Sequence, residues 1–168
     1  MSHNVYTSES PIAGKGVFAK KVFKKGEIVF ILKGKVTHWE VIDAASSAAG
    51  PNWIGIKKGV WIDPAYPYMY LNHSCDPNIG IKGSVVFHAL RDIKKGEEVM
   101  FDYSITEDDV LWHLPHTCAC GSRKCRGDIR SIQFLPPSVF KSYLPYIPNY
   151  FRGVYTKLHK GTLDEQEK

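Results

Sequence analysis

Short apolar runs alternate with breaks that contain glycine, lysine or proline along most of the chain. The runs are rich in valine, isoleucine and aromatic residues, and each is only a few residues long, which is typical of β-strands. The strand–helix–strand rhythm of a parallel α/β sheet is missing, so we do not expect a Rossmann-like domain. The runs read GVFA, EIVFIL, WIGI, VWID, VVFHAL and EVMFDY.

Two stretches in the first two thirds of the chain favour helices instead. Residues 36–49, VTHWEVIDAASSAA, predict one helix that ends before the Gly-Pro pair at 50–51. Residues 107–114, EDDVLWHL, predict a second and shorter helix. We therefore expect a few short helices among many strands.

Beyond Arg130 the sequence mixes proline with tyrosine, phenylalanine and leucine. The proline pair at 136–137 can begin a helix, whereas Pro145 and Pro148 would interrupt one. This part of the chain therefore predicts two short helices that pack on the main body, and residues 133–168 can complete the core, cover a channel or mediate dimerisation.

One sequence pattern occurs twice, as AKKVFKKGEIVF from Ala19 and as ALRDIKKGEEVMF from Ala89. Both copies predict a strand end, a Lys-Lys-Gly-Glu turn and a second strand. Glycine is expected where the turn needs a positive φ. Two similar turns and a true internal duplication both explain the pattern.

The 168 residues correspond to about one domain, and 43% apolar residues can bury a core. The net charge is +5, but the lysines come in scattered pairs, which is typical of a solvated face. No run approaches the roughly 18 apolar residues of a membrane span, and the first residues lack the pattern of a secretory signal. We therefore expect an intracellular, cytoplasmic protein whose cysteines are reduced and serve metal binding or catalysis.

Three of the four cysteines lie within eight residues, in CACGSRKC. Three thiolates at this spacing can face one tetrahedral zinc ion, while unpaired thiols or a disulfide are the alternatives. The fourth ligand must come from elsewhere: Cys75 is the remaining cysteine, and His113 and His116 compete with it. A site of four thiolates has no open position and would be structural. The three clustered cysteines are Cys118, Cys120 and Cys125.

Cys75 lies in YLNHSCDPN, two residues after His73. A Cys/His nucleophile pair is one interpretation of this motif, but the sequence offers no evident third group to orient the histidine. Asp76, Pro77 and Asn78 have the composition of a turn.

Four motifs together closely resemble the SET domain with its post-SET cysteine motif. They are GKGVFA, NHSCDPN, GEEVMFDY and CACGSRKCRG, and they cover roughly residues 5–130. The resemblance implies a mainly β fold of the β-clip type, in which several small sheets surround a knot-like threaded segment. It also implies a protein-lysine methyltransferase that uses S-adenosylmethionine and binds one structural zinc ion. The implied partner is a protein with a target lysine, such as a histone, with no membrane and with nucleic acid only through chromatin. A nuclear location is expected if the protein is eukaryotic or acts on host chromatin.

The resemblance also implies a role for each matching residue. Tyr103 would be catalytic and contact the cofactor, and Phe101 and Tyr70 would line the lysine channel. Asn72 and His73 would hold the cofactor, the histidine mainly through its main chain. The other implied cofactor contacts are Lys15, Gly16 and Val17, and the implied zinc ligands are Cys75, Cys118, Cys120 and Cys125.

Two stretches depart from the family pattern. Many members have Glu-Tyr-x-Gly where this chain has Ile31–Gly34, so a channel tyrosine is replaced by Leu32. Ahead of the Asn-His motif the chain reads Pro67–Tyr70 where many members have Gly-Asn and an arginine. We expect a SET domain over residues 1–112, a zinc-binding segment over 113–130 and a helical extension over 131–168.

Overall fold

The computed structural model describes residues 4–38 and 52–160. Within these ranges the chain forms ten short strands and two α-helices, so the prediction of a mainly β fold is confirmed. The helices are α1 Pro137–Tyr143 and α2 Asn149–Leu158. The strands are β1 Val5–Glu9, β2 Lys15–Ala19, β3 Ile28–Ile31, β4 Gly34–His38, β5 Ile54–Lys57, β6 Val60–Pro64, β7 Asn72–His73, β8 Ile79–Lys82, β9 Val86–Ala89 and β10 Met100–Phe101.

The strands form four small sheets rather than one continuous layer. Strands β1 and β2 pair antiparallel, as do the neighbours in the sheets β3-β9-β8 and β4-β6-β5, whereas β7 and β10 pair in parallel. Sheets of two or three strands cannot bury a core alone. They share one, in which the rings of Tyr68, Phe30, Phe87, Phe101 and Tyr103 form a chain with centroids 4.7–5.5 Å apart.

The two Lys-Lys-Gly-Glu turns lie side by side and are related by a local two-fold symmetry. Phe23 and Ile93 form the bridge between them and exchange two backbone hydrogen bonds of 2.9 and 2.8 Å. Gly26 and Gly96 have φ angles of 87° and 80°, which confirms the turn prediction. Two further bonds of 2.8 Å match across the axis, from Gly26 N to Ala89 O and from Gly96 N to Ala19 O.

The C-terminal extension packs on the sheets, as its prolines predict. Helix α1 begins at Pro137 and α2 begins directly after Pro148, which confirms two short helices. The buried rings of Phe140 and Tyr155 stack with centroids 3.8 Å apart and join the helices. Helix α2 also contacts β5, where a Cβ on Gly55 would overlap with the carbonyl oxygen of Thr106 and the ring of Phe151. No helix in the described residues, α1 and α2 included, is long and apolar enough to cross a membrane.

Two other helix predictions are wrong, one at its start and one throughout. The helix predicted over residues 36–49 is wrong at its start, because Val36–His38 belong to β4 and pair with β6; residues 39–49 lie outside the described ranges. The helix predicted over residues 107–114 is also wrong. That stretch is irregular, with a turn at Val110 and Leu111, because Asp109 accepts a hydrogen bond from the Leu111 N–H and so favours a local turn.

Candidate active site and metal centre

The side chain of Asn72 is fixed by acceptors from three separate parts of the chain. Its amide nitrogen lies 2.7 Å from Glu98 Oε1, 3.1 Å from the Lys15 carbonyl and 3.2 Å from Ser10 Oγ. Ser10 donates in turn to the other oxygen of Glu98, which is buried. The network holds β7, β2 and the approach to β10 in one corner.

Gly16 lies against this corner, where a larger residue would displace the Glu98 side chain. A Cβ at position 16 would overlap with Oε1 of Glu98 and come within 3.1 Å of the Ser10 Cβ. Val17 carries the next main-chain contact, since its carbonyl accepts the Val99 N–H at 2.8 Å. The backbone of Lys15–Val17 therefore lies directly against the buried carboxylate.

His73 links the strand pair to the cysteine cluster. Its Nδ1 accepts the Tyr103 N–H at 3.1 Å, so Nε2 carries the ring proton and donates towards Cys75 Sγ at 3.3 Å. Burial lowers the pKa of His73 to about 4, because it disfavours the charged imidazolium; the Asp102 charge opposes this shift and the Arg126 charge adds to it. The 3.7 Å approach of Asp102 to Nδ1 is therefore not an ion pair at neutral pH.

The Tyr103 side chain is held by a hydrogen bond at its hydroxyl and by aromatic contacts along its ring. Its hydroxyl donates to the Leu71 carbonyl at 2.6 Å, and its ring centroid lies 5.3 Å from that of His73 and 5.0 Å from that of Phe101. Burial, with a smaller contribution from the Glu98 charge, raises the pKa of Tyr103. The hydroxyl is therefore protonated and can act as a hydrogen-bond donor at physiological pH.

The two residues predicted to line the lysine channel are not equally placed. Phe101 is buried against Phe87 and next to Tyr103. Tyr70 lies beside Lys15, whose ammonium is 5.5 Å from the ring centroid, and forms an edge contact with Tyr66. The structure thus places Tyr70 near the glycine motif, and its channel role stays a prediction.

Four cysteine sulfurs, three from one segment and one from the distant Cys75, come together within 4.8 Å of one another. Tetrahedral zinc with bonds of about 2.3 Å requires sulfurs about 3.8 Å apart, and the Cys75 and Cys118 sulfurs are 3.9 Å apart. No other such group of metal-ligating side chains occurs in the described ranges, so His113 and His116 lie outside it. The four are Cys75, Cys118, Cys120 and Cys125.

The surroundings of the sulfurs suit a bound cation. Burial raises the pKa of the Cys75 thiol and that of Cys118, the latter to about 11, so uncompensated thiolates would be unfavourable there. Cys75 also receives the Arg126 N–H at 3.4 Å besides the His73 contact. Donors to a ligating sulfur are typical of the groups that surround metal sites. A raised pKa is the opposite of what an activated nucleophile needs, which weakens the Cys/His interpretation.

A cavity of about 390 Å³ lies beside the cysteine segment. Its wall combines the loop after β7, the start of β10 and the turn within the cysteine segment. The cavity therefore borders one predicted zinc ligand, Cys120, and Ser74, which follows His73, but no residue predicted to contact the cofactor lines it. It is lined by Ser74, Asp76, Met100 and residues 120–124.

Sequence reasoning missed the buried charges of this region. Glu98 and Asp102 lie in GEEVMFDY, and Arg126 follows the last cysteine, but none was assigned a role. Asp102 is fully buried, and both Nη atoms of Arg126 donate to its carboxylate. A signal was present, because an acidic residue inside an apolar strand is rarely buried without a partner.

Comparison with known proteins gives the following matches. A family model described as SET domain matches residues 14–104, which is more than half of the chain. Histone-lysine N-methyltransferase 2B of Homo sapiens is 31% identical over 132 residues, and histone-lysine N-methyltransferase, H3 lysine-4 specific, of Cryptococcus neoformans is 28% identical over 137. The matches cover 70% and 71% of this chain but only 5% and 9% of those proteins.

Solved structures support the fold. The structure of KRYPTONITE in complex with mCHH DNA, H3(1-15) peptide and SAH superposes with a TM-score of 0.57 at 21% identity, over 77% of this chain and 30% of that one. The structure of ctPRC2 in an autoinhibited conformation bound to S-adenosylmethionine gives a TM-score of 0.51 at 23% identity, over 65% of this chain and 16% of that one.

Proposed function

Because the chain belongs to the SET-domain family, we propose that it is an S-adenosylmethionine-dependent protein-lysine N-methyltransferase. The observation that carries the proposal is the parallel pairing of β7 with β10. It brings Asn72 and His73 alongside Phe101 and Tyr103, so that the predicted cofactor motif and the predicted catalytic tyrosine meet. The names of the relatives support the same reaction class.

The cofactor would be held between the glycine motif and the Asn-His motif. S-adenosylmethionine supplies an electrophilic methyl group on a sulfonium ion. The backbone of Lys15, Gly16 and Val17 would bind it, and the amide network of Asn72 keeps this backbone in place. His73 would contribute main-chain groups, because both of its ring nitrogens already have partners.

Tyr103 would align the reacting amine. A lysine must lose its proton to attack, which costs about 4.6 kcal/mol at pH 7 for a pKa near 10.4. An apolar channel lined by Phe101 and Tyr70 would favour the neutral amine. The protonated Tyr103 hydroxyl, held on the Leu71 carbonyl, would orient the amine or the methyl group, and alignment alone supplies several kcal/mol.

The zinc ion would be structural. Thiolates from Cys75, Cys118, Cys120 and Cys125 fill a tetrahedral shell and leave no position for substrate. The ion would tie the segment 113–130 to the loop after β7.

The substrate would be a protein lysine, with histones the first candidates because the relatives are named for them. In a eukaryotic host the protein would then act on chromatin in the nucleus and meet nucleic acid only there. We also propose the division into a SET domain at 1–112, a zinc segment at 113–130 and an extension at 131–168.

The test is methyl transfer from labelled S-adenosylmethionine to mixed histones and to a cell lysate. We expect the wild type to transfer label and Tyr103→Phe to lose on the order of 100-fold in kcat, as expected when alignment is lost. Tyr6→Phe, at a partly exposed ring, is the matched control and should behave like the wild type. Calorimetry should find cofactor binding in all three proteins; binding without any transfer by the wild type would refute the enzyme proposal.

A second candidate is a catalytically weak SET module that binds peptide or cofactor as an interaction domain. Leu32 favours it, because this residue is buried in the core at the position where many members have a channel tyrosine. Such a module would bind a histone peptide in the same calorimetry but would show no turnover in the label assay.

A further inference from the structure

The C-terminal extension reaches the segment that precedes Tyr103 through one buried hydroxyl. Tyr143, near the end of α1, donates to Oδ2 of Asp102 at 3.0 Å. Its oxygen also lies 3.4 Å from the Cys75 carbonyl, which is the weaker acceptor because it is farther away and uncharged. Both Tyr143 and Asp102 are buried, so water does not compete for this bond.

With Tyr143 included, the Asp102 carboxylate accepts hydrogen bonds from four donors. Arg126 donates from both Nη atoms, and the Ser104 N–H donates to Oδ1 at 3.1 Å. Together with the Tyr143 hydroxyl these four donors match the roughly four acceptor positions of a carboxylate. The donors come from the extension, the zinc segment and the SET domain. A fully satisfied network in a buried site holds its members rigidly.

Asp102 is joined directly to Tyr103, and its bond to Ser104 begins the 3-10 turn Tyr103–Thr106. The carboxylate therefore fixes the peptide from which the Tyr103 side chain projects. Arg126 continues the network, since its N–H contacts Cys75 Sγ and its side chain also donates to Ser104 Oγ at 3.1 Å.

We propose that Tyr143 is a positioning residue for Tyr103, acting through Asp102, and that the extension is therefore a working part of the methyltransferase site. The expected effect on kcat rests on the proposed function. It assigns to the extension a role in the alignment of the catalytic tyrosine and in the closure of the zinc segment over the SET domain.

The experiment compares Tyr143→Phe with Tyr155→Phe in the full zinc-loaded chain. Tyr155 is a matched control: its buried hydroxyl donates to the Leu135 carbonyl at 3.1 Å, inside the same extension. We expect Tyr143→Phe to lower kcat by roughly 10-fold with little change in the KM for cofactor, as lost alignment predicts. Tyr155→Phe should lower the melting temperature by a similar amount but leave kcat within about twofold of the wild type.

A second readout does not depend on turnover. The backbone amide resonance of Tyr103, which reports the hydrogen bond to His73, should shift in Tyr143→Phe and stay in place in Tyr155→Phe. Ser104→Ala removes the Arg126 contact from the other side of the network and should shift the same resonance. It also supplies a test if Tyr143→Phe does not fold.

The outcomes separate the two proposals. An active wild type whose kcat and Tyr103 resonance respond equally to both tyrosine variants overturns the inference and leaves the proposed function intact. An inactive wild type refutes the proposed function, and the resonance then decides the inference: a shift in Tyr143→Phe alone supports it, and no selective shift overturns it.

Discussion

The sheet core and the segment 113–130 differ in what holds them together. Backbone pairing and apolar burial stabilise the strands of the core, whereas residues 113–130 form neither helix nor strand. The strands β8 and β9 carry Ile79, Ile81 and Phe87, all completely buried. The segment 113–130 is closed by an isolated bridge between His113 and Arg130. Its own apolar cluster has only three buried members, and two of these are the predicted zinc ligands Cys75 and Cys120.

The difference shows where each region obtains its stability. The core folds by removing apolar surface from water, which is distributed over many side chains. The segment 113–130 has too few apolar groups to do this, and we expect the four sulfurs to act together through one zinc ion. Loss of one side chain should therefore be a graded event in the core and an all-or-none event in the segment.

The largest expected effect follows from removal of one sulfur. Cys120→Ser should abolish zinc binding, because the ion would keep only three thiolates, and structural zinc contributes about 10–16 kcal/mol to the folding of small zinc peptides. We expect hydrogen exchange to lose protection in residues 113–130 while β8 and β9 keep theirs, and methyl transfer to be lost.

Thr117→Ala is the control, since this exposed side chain lies in the same segment, outside the cysteine cluster and outside the cavity wall. Chelation of the wild type should reproduce the Cys120→Ser exchange pattern, and added zinc should reverse it only for the wild type. One zinc per chain in Cys120→Ser, with protected residues 113–130, would contradict the prediction.

An intermediate effect is expected at the paired turns of the core. Gly26→Ala and Gly96→Ala each place a Cβ on a residue with positive φ, which should cost about 1–2 kcal/mol in the free energy of unfolding. Because the turns are related by local symmetry, the two losses should be nearly equal in urea denaturation. Gly153→Ala in α2 is the control, with open space around it and a helical backbone, and should stabilise by roughly 0.5–1 kcal/mol. Unequal losses at positions 26 and 96 would mean that their surroundings, not their φ angles, determine the cost.

The same contrast explains which features the sequence could predict. Strands such as β9 and turns such as that at Gly96 follow from local apolar runs and local glycine. The two-residue strand β7 is defined by its pairing with β10 and leaves no local pattern. The stretch 36–49 predicts a helix, but pairing with β6 makes residues 36–38 a strand.

The candidate site also contains features that the sequence predicts and features that it does not. Spacing identified the cysteines, and the structure brings Cys75 to the other three. The network of Asp102, Arg126 and Tyr143 joins residues 24 and 41 positions apart along the chain. Such contacts depend on how the extension and zinc segment dock, which no local pattern encodes.

The smallest expected effect concerns the seam between the core and the extension. Glu107 is buried there, its Oε2 has no hydrogen-bond partner among the described residues, and its carbonyl accepts the Ile132 N–H at 2.9 Å. Burial, and then the charges of Asp108 and Asp109, raise the pKa of Glu107 well above its usual value. The folded state thus binds this proton more tightly than the unfolded chain does.

The sign of the pH dependence follows from that difference. The stability that Glu107 contributes is fully present below its unfolded pKa, near 4.3, and is lost as pH rises through the raised folded pKa. Glu107→Gln mimics the protonated carboxyl, so its melting temperature should exceed that of the wild type increasingly as pH rises from about 4 to 8. Glu9→Gln, at an exposed carboxyl on β1, should follow the wild type at every pH. A constant difference between Glu107→Gln and the wild type across this range would show that Glu107 is ionised in the folded protein, with its charge compensated at the seam.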